Sequence, residues 1–152
     1  MRRVMLLLTA LLLFQVLSVT PIEAQAKMSG QRESETIVDR KMASDGVTEG
    51  WLVAYPNPDP HQSWRKIMGT LVIAQHGRVI RRIGADSTFW SWNFWDGGRK
   101  VAYQMGPLHG ETVCVLADVR SGKEVDRWAG DCRNRPDNAP SWVKAADGQT
   151  IR

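Results

Sequence analysis

The feature that most constrains this chain is a strand-and-turn pattern that begins near Asp45 and continues toward its end. Short apolar segments alternate there with Gly, Asn, Asp and Pro, at the spacing of β-strands joined by tight turns. No stretch after residue 26 shows the sustained apolar period of a helix. The sequence therefore predicts an all-β fold for residues 45–152.

The β pattern is repeated within the chain, which narrows the architecture further. The Val-Ala-Tyr sequence at residues 53–55 recurs at 101–103, an offset of 48. The hairpin around Gly77 recurs around Gly122, an offset of 45. Because the two matches keep the same order at similar offsets, they predict two tandem, antiparallel, blade-like units.

A third match extends the repeat toward the C-terminus. The Ser-Trp pair at residues 91–92 recurs at 141–142, an offset of 50, and predicts a partial third unit. Within the second unit, the Asp-Gly-Gly sequence at 96–98 predicts a turn. The nearly continuous apolar run at 112–117 predicts a central strand buried on both faces. The charged segment at 123–128 and its counterpart in the first unit at 78–83 each predict an edge strand.

These segments resemble the blades of TolB-type, WD40-like β-propellers of bacterial secreted proteins. The resemblance rests on Ser-Trp, Asp-Gly-Gly and Val-Ala-Tyr within residues 91–103, and on Asp-Val-Arg-Ser-Gly-Lys at 118–123. Gly-Trp-Leu-Val at 50–53 and Gly-Pro-Leu-His-Gly at 106–110 are similar to segments of small uncharacterised exported proteins. The resemblance implies architecture but no activity, because propellers carry many unrelated functions. A closed propeller needs at least about four blades, so this chain is not expected to close on its own.

The N-terminal residues 1–26 predict a secretory signal peptide. A short basic start precedes an apolar run at residues 4–19, and the small residues Ala24 and Ala26 form the exit site. The run is short for a helix that must cross ~30 Å of hydrocarbon. We therefore expect cleavage before Lys27, export to the periplasm or the medium, and no membrane span in the mature chain.

The segment between the predicted signal peptide and the β-repeat domain, residues 27–44, is polar and charged. It predicts a flexible lead-in with one short strand at residues 36–38. Removal of residues 1–26 takes away two arginines and one glutamate, which lowers the formal net charge from +4 to +3. Such a mild charge, scattered along an exported chain, does not favour a nucleic-acid partner.

The chain has only two cysteines, Cys114 and Cys132. Export to an oxidising compartment permits a disulfide between them. If residues 121–122 form a hairpin turn, however, the residue that faces Cys114 lies near Ala129, and a bridge requires the chain after Gly130 to curl back. The alternative is a small buried Cys114 and a separate loop thiol at Cys132.

The three histidines of the chain include two at matching positions of the repeat, His61 and His109. His109 is followed closely by Glu111, and imidazole with carboxylate is a common metal-ligand set. Their spacing matches no established metal motif, so loop histidines inherited with the repeat are the favoured interpretation. A metal site or a hydrolase that uses His61, His109 and Glu111 is the alternative.

The aromatic cluster at residues 89–95 is the densest in the chain. In a regular strand, Trp90 and Trp92 share one face and Trp95 lies on the other. One face is expected to fill the core between two sheets. If the opposite face is exposed, its aromatic rings offer a flat surface on which a glycan or a peptide stacks.

The functional prediction from sequence is a non-catalytic, exported binding module. No nucleophile elbow, phosphate loop or dinucleotide fingerprint is present, so no catalytic residue, cofactor or metal is assigned. The expected partner is a protein or a glycan that contacts loops or a sheet edge. The candidate binding residues are Trp90, Trp92, Trp95, His61 and His109. A third hypothesis is a structural piece that completes its β architecture by self-association.

Overall fold

The computed structural model describes residues 35–85 and 87–148. The predicted signal peptide lies outside the described residues. The strands are β1 (Thr36–Met42), β2 (Thr48–Pro56), β3 (Lys66–Gln75), β4 (Arg78–Gly84), β5 (Thr88–Trp95), β6 (Lys100–Gly106), β7 (Val113–Asp118) and β8 (Glu124–Ala129). Two 3-10 turns, Pro60–Gln62 and Asp96–Gly98, and a helix, α1 (Trp142–Ala146), complete this part. None of its helices is long and apolar enough to cross a membrane.

The strands form two antiparallel sheets of four strands each. The first sheet has the order β1-β2-β3-β4, and the second has the order β5-β6-β7-β8. The repeated Val-Ala-Tyr sequences lie on the second strand of each sheet, β2 and β6. The predicted all-β fold of tandem blade-like units is therefore confirmed, and the two sheets that the structure describes form neither a closed barrel nor a propeller.

Glycines with positive φ close corresponding hairpins in the two sheets. Gly77 joins β3 to β4 with φ 74°, and Gly122 joins β7 to β8 with φ 70°. Glycine adopts this left-handed conformation without the steric penalty that a Cβ imposes. The charged strands β4 and β8 that follow are the outer strands of their sheets, which agrees with their prediction as edge strands.

The segment predicted as a flexible lead-in, residues 27–44, contains the whole of β1. Its strand spans Thr36–Met42 and pairs with β2, with an irregularity between Val38 and Lys41. The strand predicted at residues 36–38 is therefore the first part of a longer edge strand. An ion pair of 3.0 Å between Arg40 and Glu49 links this strand to β2. Residues 27–34 of the predicted lead-in lie outside the described residues.

The structure differs from the predicted partial third unit at residues 141–148. These residues form α1 and the turn that follows it, not a strand. The helical segment contains Lys144 and two alanines, which favour a helix more than a strand. Its buried residues are Trp142, Val143, Ala145 and Ala146. The repeated Ser-Trp pair therefore lies in the middle of a strand in one place and at the start of a helix in the other.

The two sheets pack against each other around one hydrophobic core, the first core. Its buried members from the first sheet are Leu52, Leu71 and Ile73. The second sheet and the turn after it contribute Phe89, Trp92, Val101, Tyr103, Val115, Ala117 and Val119. Val101 and Tyr103, two positions apart on β6, share its inward face.

A second core lies on the opposite face of the second sheet, where α1 packs against β5, β6 and β7. It contains Ala102, Cys114, Leu116, Cys132, Trp142, Val143, Ala145 and Ala146. Cys114 and Cys132 form a disulfide with a Cα–Cα distance of 5.9 Å. Both faces of the second sheet are therefore covered, which explains why its central strand β7 is apolar on both sides.

Candidate functional site

The aromatic segment forms β5, and a β-bulge between Phe89 and Ser91 changes which side chains share a face. Strict alternation predicted Trp90 and Trp92 on the same face. In the structure Phe89 and Trp92 both belong to the first core, and Trp90 is the extra residue of the bulge. A bulge sets two residues opposite one on the partner strand, so the alternation shifts by one position.

The three tryptophans of this strand are all at least half-buried. Trp92 is 0% exposed, so its ring is not available to a ligand at the surface. The half-buried Trp95 packs against the second core on the other face. The indole N–H of Trp90, also half-buried, donates to the carbonyl of Gly106 at 3.2 Å. The flat, exposed aromatic surface considered from the sequence is therefore not formed by Trp92, and Trp95 lies against a covered face.

The predicted histidines lie on two separate connections. His61 is in the 3-10 turn between β2 and β3, and His109 is in the loop between β6 and β7 with Glu111. All three side chains are exposed. Within residues 35–85 and 87–148, no group of three His, Cys, Asp or Glu side chains is arranged to hold a metal ion.

The connection between β2 and β3 presents the most exposed large hydrophobic side chain of the described residues. Trp64 is 77% exposed at the end of this connection. The guanidinium carbon of Arg65 lies over its ring, 5.3 Å from the ring centre, which is within the range of a cation–π contact. We refer to residues 57–65 as the Trp64 loop.

Side-chain hydrogen bonds hold the backbone of the Trp64 loop. The side-chain oxygen of Asn57 accepts from the N–H of Asp59 at 3.0 Å. The carboxylate of Asp59 accepts from the N–H of His61 at 2.9 Å and from the amide of Gln62 at 3.1 Å. The carbonyl of Gln62 in turn accepts from the N–H of Arg65 at 2.8 Å. These contacts give the loop a defined shape before any partner arrives.

The sequence prediction of binding residues did not include Trp64. It selected tryptophans by their density in the aromatic cluster, where Trp92 is fully buried and Trp90 and Trp95 are half-buried. The useful sequence indication is different, because Trp64 stands between Ser63 and two basic residues and belongs to no alternating apolar pattern. A large aromatic side chain that no core position requires is a candidate for a contact with a partner.

Comparisons with known proteins supply no relative from which a function could be transferred. No protein-family model matches the chain, and neither a curated protein nor a solved structure matches it. The function must therefore be argued from the geometry of the described residues.

Proposed function

We propose that this protein is an exported, non-catalytic module that binds a protein partner through the Trp64 loop. The observation that carries the proposal is the 77% exposure of Trp64 on a loop held by its own hydrogen bonds. Trp and Arg are among the residues most enriched at the energetic centres of protein interfaces. Trp64 and Arg65 present these two residue types side by side.

The shape of the loop supports this proposal because binding costs less when the contact surface is already ordered. Immobilising a flexible side chain at an interface costs roughly 0.5–1.5 kcal/mol. In the Trp64 loop, the bonds of Asp59 to His61 and Gln62 fix the backbone in advance. Burial of the exposed Trp64 ring by a partner then supplies hydrophobic free energy with little further ordering.

The position of Arg65 favours a protein partner over a glycan. Its guanidinium group lies over the Trp64 ring, where it occupies surface on which a sugar ring would otherwise stack. A protein interface uses such an Arg-Trp pair as a unit, since the cation adds hydrogen bonds around the aromatic anchor. A glycan partner is therefore an alternative outcome of the test and not the expected one.

Export is part of the same proposal. The predicted signal peptide at residues 1–26 motivates it, and the disulfide between Cys114 and Cys132 supports it. Disulfides persist in the periplasm and outside the cell, and they are rare in the cytosol of mesophiles. We place the protein in the periplasm or the medium, and we relate its sheets to TolB-type blades as a proposal about architecture alone.

The proposal is tested by capture from the envelope of the exporting cell, followed by affinity measurement with the captured partner. We expect Trp64→Ala to weaken binding at least about 30-fold, the loss of an interface hot spot. Trp64→Phe should restore part of the affinity. Val125→Ala is the control, because Val125 is 52% exposed on β8, away from the loop. Unchanged affinity in Trp64→Ala, or capture of a glycan and no protein, would refute the proposal.

A further inference from the structure

The face of the first sheet that points away from the second sheet carries a concentration of exposed apolar side chains. We call it the outer face. Gly50 points toward Trp92 of the second sheet, so its strand neighbours Glu49 and Trp51 lie on the outer face. The strand register then places three further side chains there, which are 56%, 59% and 50% exposed: Ile37, Met42 and Val79.

The apolar character of the outer face extends to its centre. Val53 and Val72, on the two inner strands, also lie on it, and both are buried. Five large hydrophobic side chains are at least half exposed in the described part of the chain, and three of them belong to this face. The three exposed side chains lie on the edge strands β1 and β4, and the apolar residues Val53 and Val72 fill the strands between them, so the face as a whole is a candidate interaction surface.

The internal repeat shows what kind of surface packs on this face. Val101 and Tyr103 of the second sheet face the first sheet within the first core. Val53 and Tyr55, which match them in the repeat, lie on the outer face. The outer face of the first sheet thus corresponds, in the repeat, to the inward face of the second sheet. In the second sheet that face is covered by another β-sheet.

We propose that two copies of this chain pack together through the outer faces of their first sheets. Head-to-tail stacking of copies would require the far face of the second sheet, and α1 and the disulfide already cover that face. Among the sheet faces that the structure describes, the one that a second copy has uncovered is its own outer face. Such a two-fold contact uses the same surface on both copies and closes after two.

The charges on the outer face suit a two-fold contact. Glu49 and Arg40 form an ion pair there, and the guanidinium of Arg40 lies over the ring of Trp51 at 5.1 Å. Arg82 lies on the same face, opposite Val72. Because the face carries both signs of charge, a two-fold rotation can bring acidic groups of one copy to basic groups of the other, as a self-complementary interface requires.

The size of the face is also adequate. Four strands about 4.8 Å apart, each about seven residues long at ~3.3 Å per residue, span roughly 440 Å² on each copy. Covering this area on two copies removes roughly 900 Å² of projected surface, and pleated, side-chain-bearing surface is larger than its projection. The total therefore approaches the ~1,000 Å² that a specific interface needs.

The test is the mass of the protein in solution, measured by analytical ultracentrifugation over a range of concentrations on material recovered from the exporting cell. We expect a dimer for the wild type. Ile37→Lys and Val79→Lys should each raise the dimer dissociation constant at least about tenfold, because each places an unpaired lysine charge within the contact. Val125→Lys is the matched control, since Val125 is 52% exposed on a different sheet, and it should leave the dimer unchanged.

Three results would overturn the proposal. One is a wild-type protein that stays monomeric at the highest concentration, in which case another protein or residues 1–34 of the same chain cover the face. Another is a dimer that Val125→Lys weakens as much as Val79→Lys does. The third is growth into species larger than a dimer, which would mean that copies stack head to tail. This test is separate from the test of the Trp64 loop. Trp64→Ala should weaken binding of the partner and leave the dimer intact.

Discussion

Trp92 is the largest fully buried side chain that the structure describes, and a glycine stands opposite it. A Cβ at Gly50 would lie 2.9 Å from the Cη2 atom of Trp92 and 3.0 Å from the carbonyl oxygen of Val72. The two sheets can therefore approach around the indole ring only because residue 50 has no side chain. Lys41 covers the ring from β1, with its ammonium nitrogen 5.0 Å from the ring centre.

This packing makes Trp92 a test of the core. Truncation of a buried aromatic side chain to alanine typically costs about 3–5 kcal/mol, because contacts are lost and a cavity remains. We expect Trp92→Ala to lower the free energy of unfolding by that amount, measured by urea denaturation. A loss below about 1 kcal/mol, combined with loss of partner binding, would show instead that this residue belongs to a binding surface.

Two other tryptophans provide the comparison. Trp142 is 6% exposed, and its indole N–H donates to Asp126 at 2.9 Å, but it belongs to the smaller second core on a five-residue helix. We expect Trp142→Ala to be less destabilising than Trp92→Ala. Trp64→Ala removes a side chain that is already in solvent, so its effect should stay within about 0.5 kcal/mol.

Asp118, at the turn between β7 and β8, makes stability depend on pH. The backbone N–H and the hydroxyl of Ser121 both donate to its carboxylate at 2.7 Å, which lowers the pKa of Asp118 below its ordinary value of 3.8. A group whose pKa is lower in the folded state stabilises the fold above its unfolded pKa and loses that effect as pH falls. The contribution of Asp118 should therefore be present at neutral pH and disappear between about pH 5 and pH 2.

The measurement is the difference in unfolding free energy between the wild type and Asp118→Ala, taken at pH 7 and again at about pH 2.5. We expect this difference to shrink at the lower pH. Val125→Ala, which removes no titratable group from the neighbouring strand β8, is the control, for which the difference should not change. An equal difference for Asp118→Ala at both pH values would contradict the role of this carboxylate.

At the scale of strands and helices, sequence patterns predicted the elements that follow simple alternation. The central strand β7 and the edge strands β4 and β8 agree with their predictions because charge and apolar patterns reflect burial directly. The register of β5 could not be predicted, since the bulge at Trp90 leaves no mark in the apolar pattern. Because of this single extra residue, Trp92 lies on the same face as Phe89 and not with Trp90. The aromatic binding surface predicted from strict alternation is therefore not the one that the strand presents.

The C-terminal element was missed for a related reason. The Ser-Trp match at residues 141–142 is local, whereas the choice between strand and helix depends on what the segment packs against. The segment covers the second core, where Ser91 of β5 donates its hydroxyl to the carbonyl of Ala146 at 2.5 Å. A five-residue helix can cover a sheet face in this way without strand partners.

The disulfide connects β7 to the segment that leads to α1. Cys114 faces Trp128 in the strand register, so the bridge depends on the chain turning back afterwards. Gly130 provides the turn with φ 105°, and its N–H donates to the carbonyl of Thr112 at 3.1 Å. The condition that the sequence set for a bridge, a chain that curls back after Gly130, is thus met.

Removal of both cysteines should lower the free energy of unfolding and weaken the attachment of α1 to the second sheet. The bridge closes a loop between residues 18 positions apart, for which the expected contribution is about 2–4 kcal/mol. We expect the double variant Cys114→Ala/Cys132→Ala to lose that amount of unfolding free energy in urea. Hydrogen exchange in α1 should become faster than in the wild type, whereas exchange in β2 and β3 should change less. If a reducing agent destabilises this variant as much as it does the wild type, the effect does not come from the bridge.

At the scale of the whole described part, residues 35–85 and 87–148, the two sheets face the same way along the repeat, and a helix covers the far face of the second sheet but not the outer face of the first. The sequence could predict one of the two proposed binding surfaces and not the other. The repeat indicated stacked β units and raised self-association as a hypothesis. The Trp64 loop required the structure, because exposure of a single aromatic side chain depends on how the chain around it is folded.

If the chain is exported as proposed, its disulfide forms in the oxidising compartment that it reaches. If residues 1–26 are a signal peptide, protein recovered from the envelope or the medium should begin at Lys27 by N-terminal sequencing. Its mass should show the Cys114–Cys132 bridge. Leu12→Arg places a charge in the apolar run and should block export, so that the chain stays in the cell, begins at Met1 and carries reduced cysteines. Envelope protein that begins at Met1, or a Leu12→Arg variant exported as well as the wild type, would refute cleavable export.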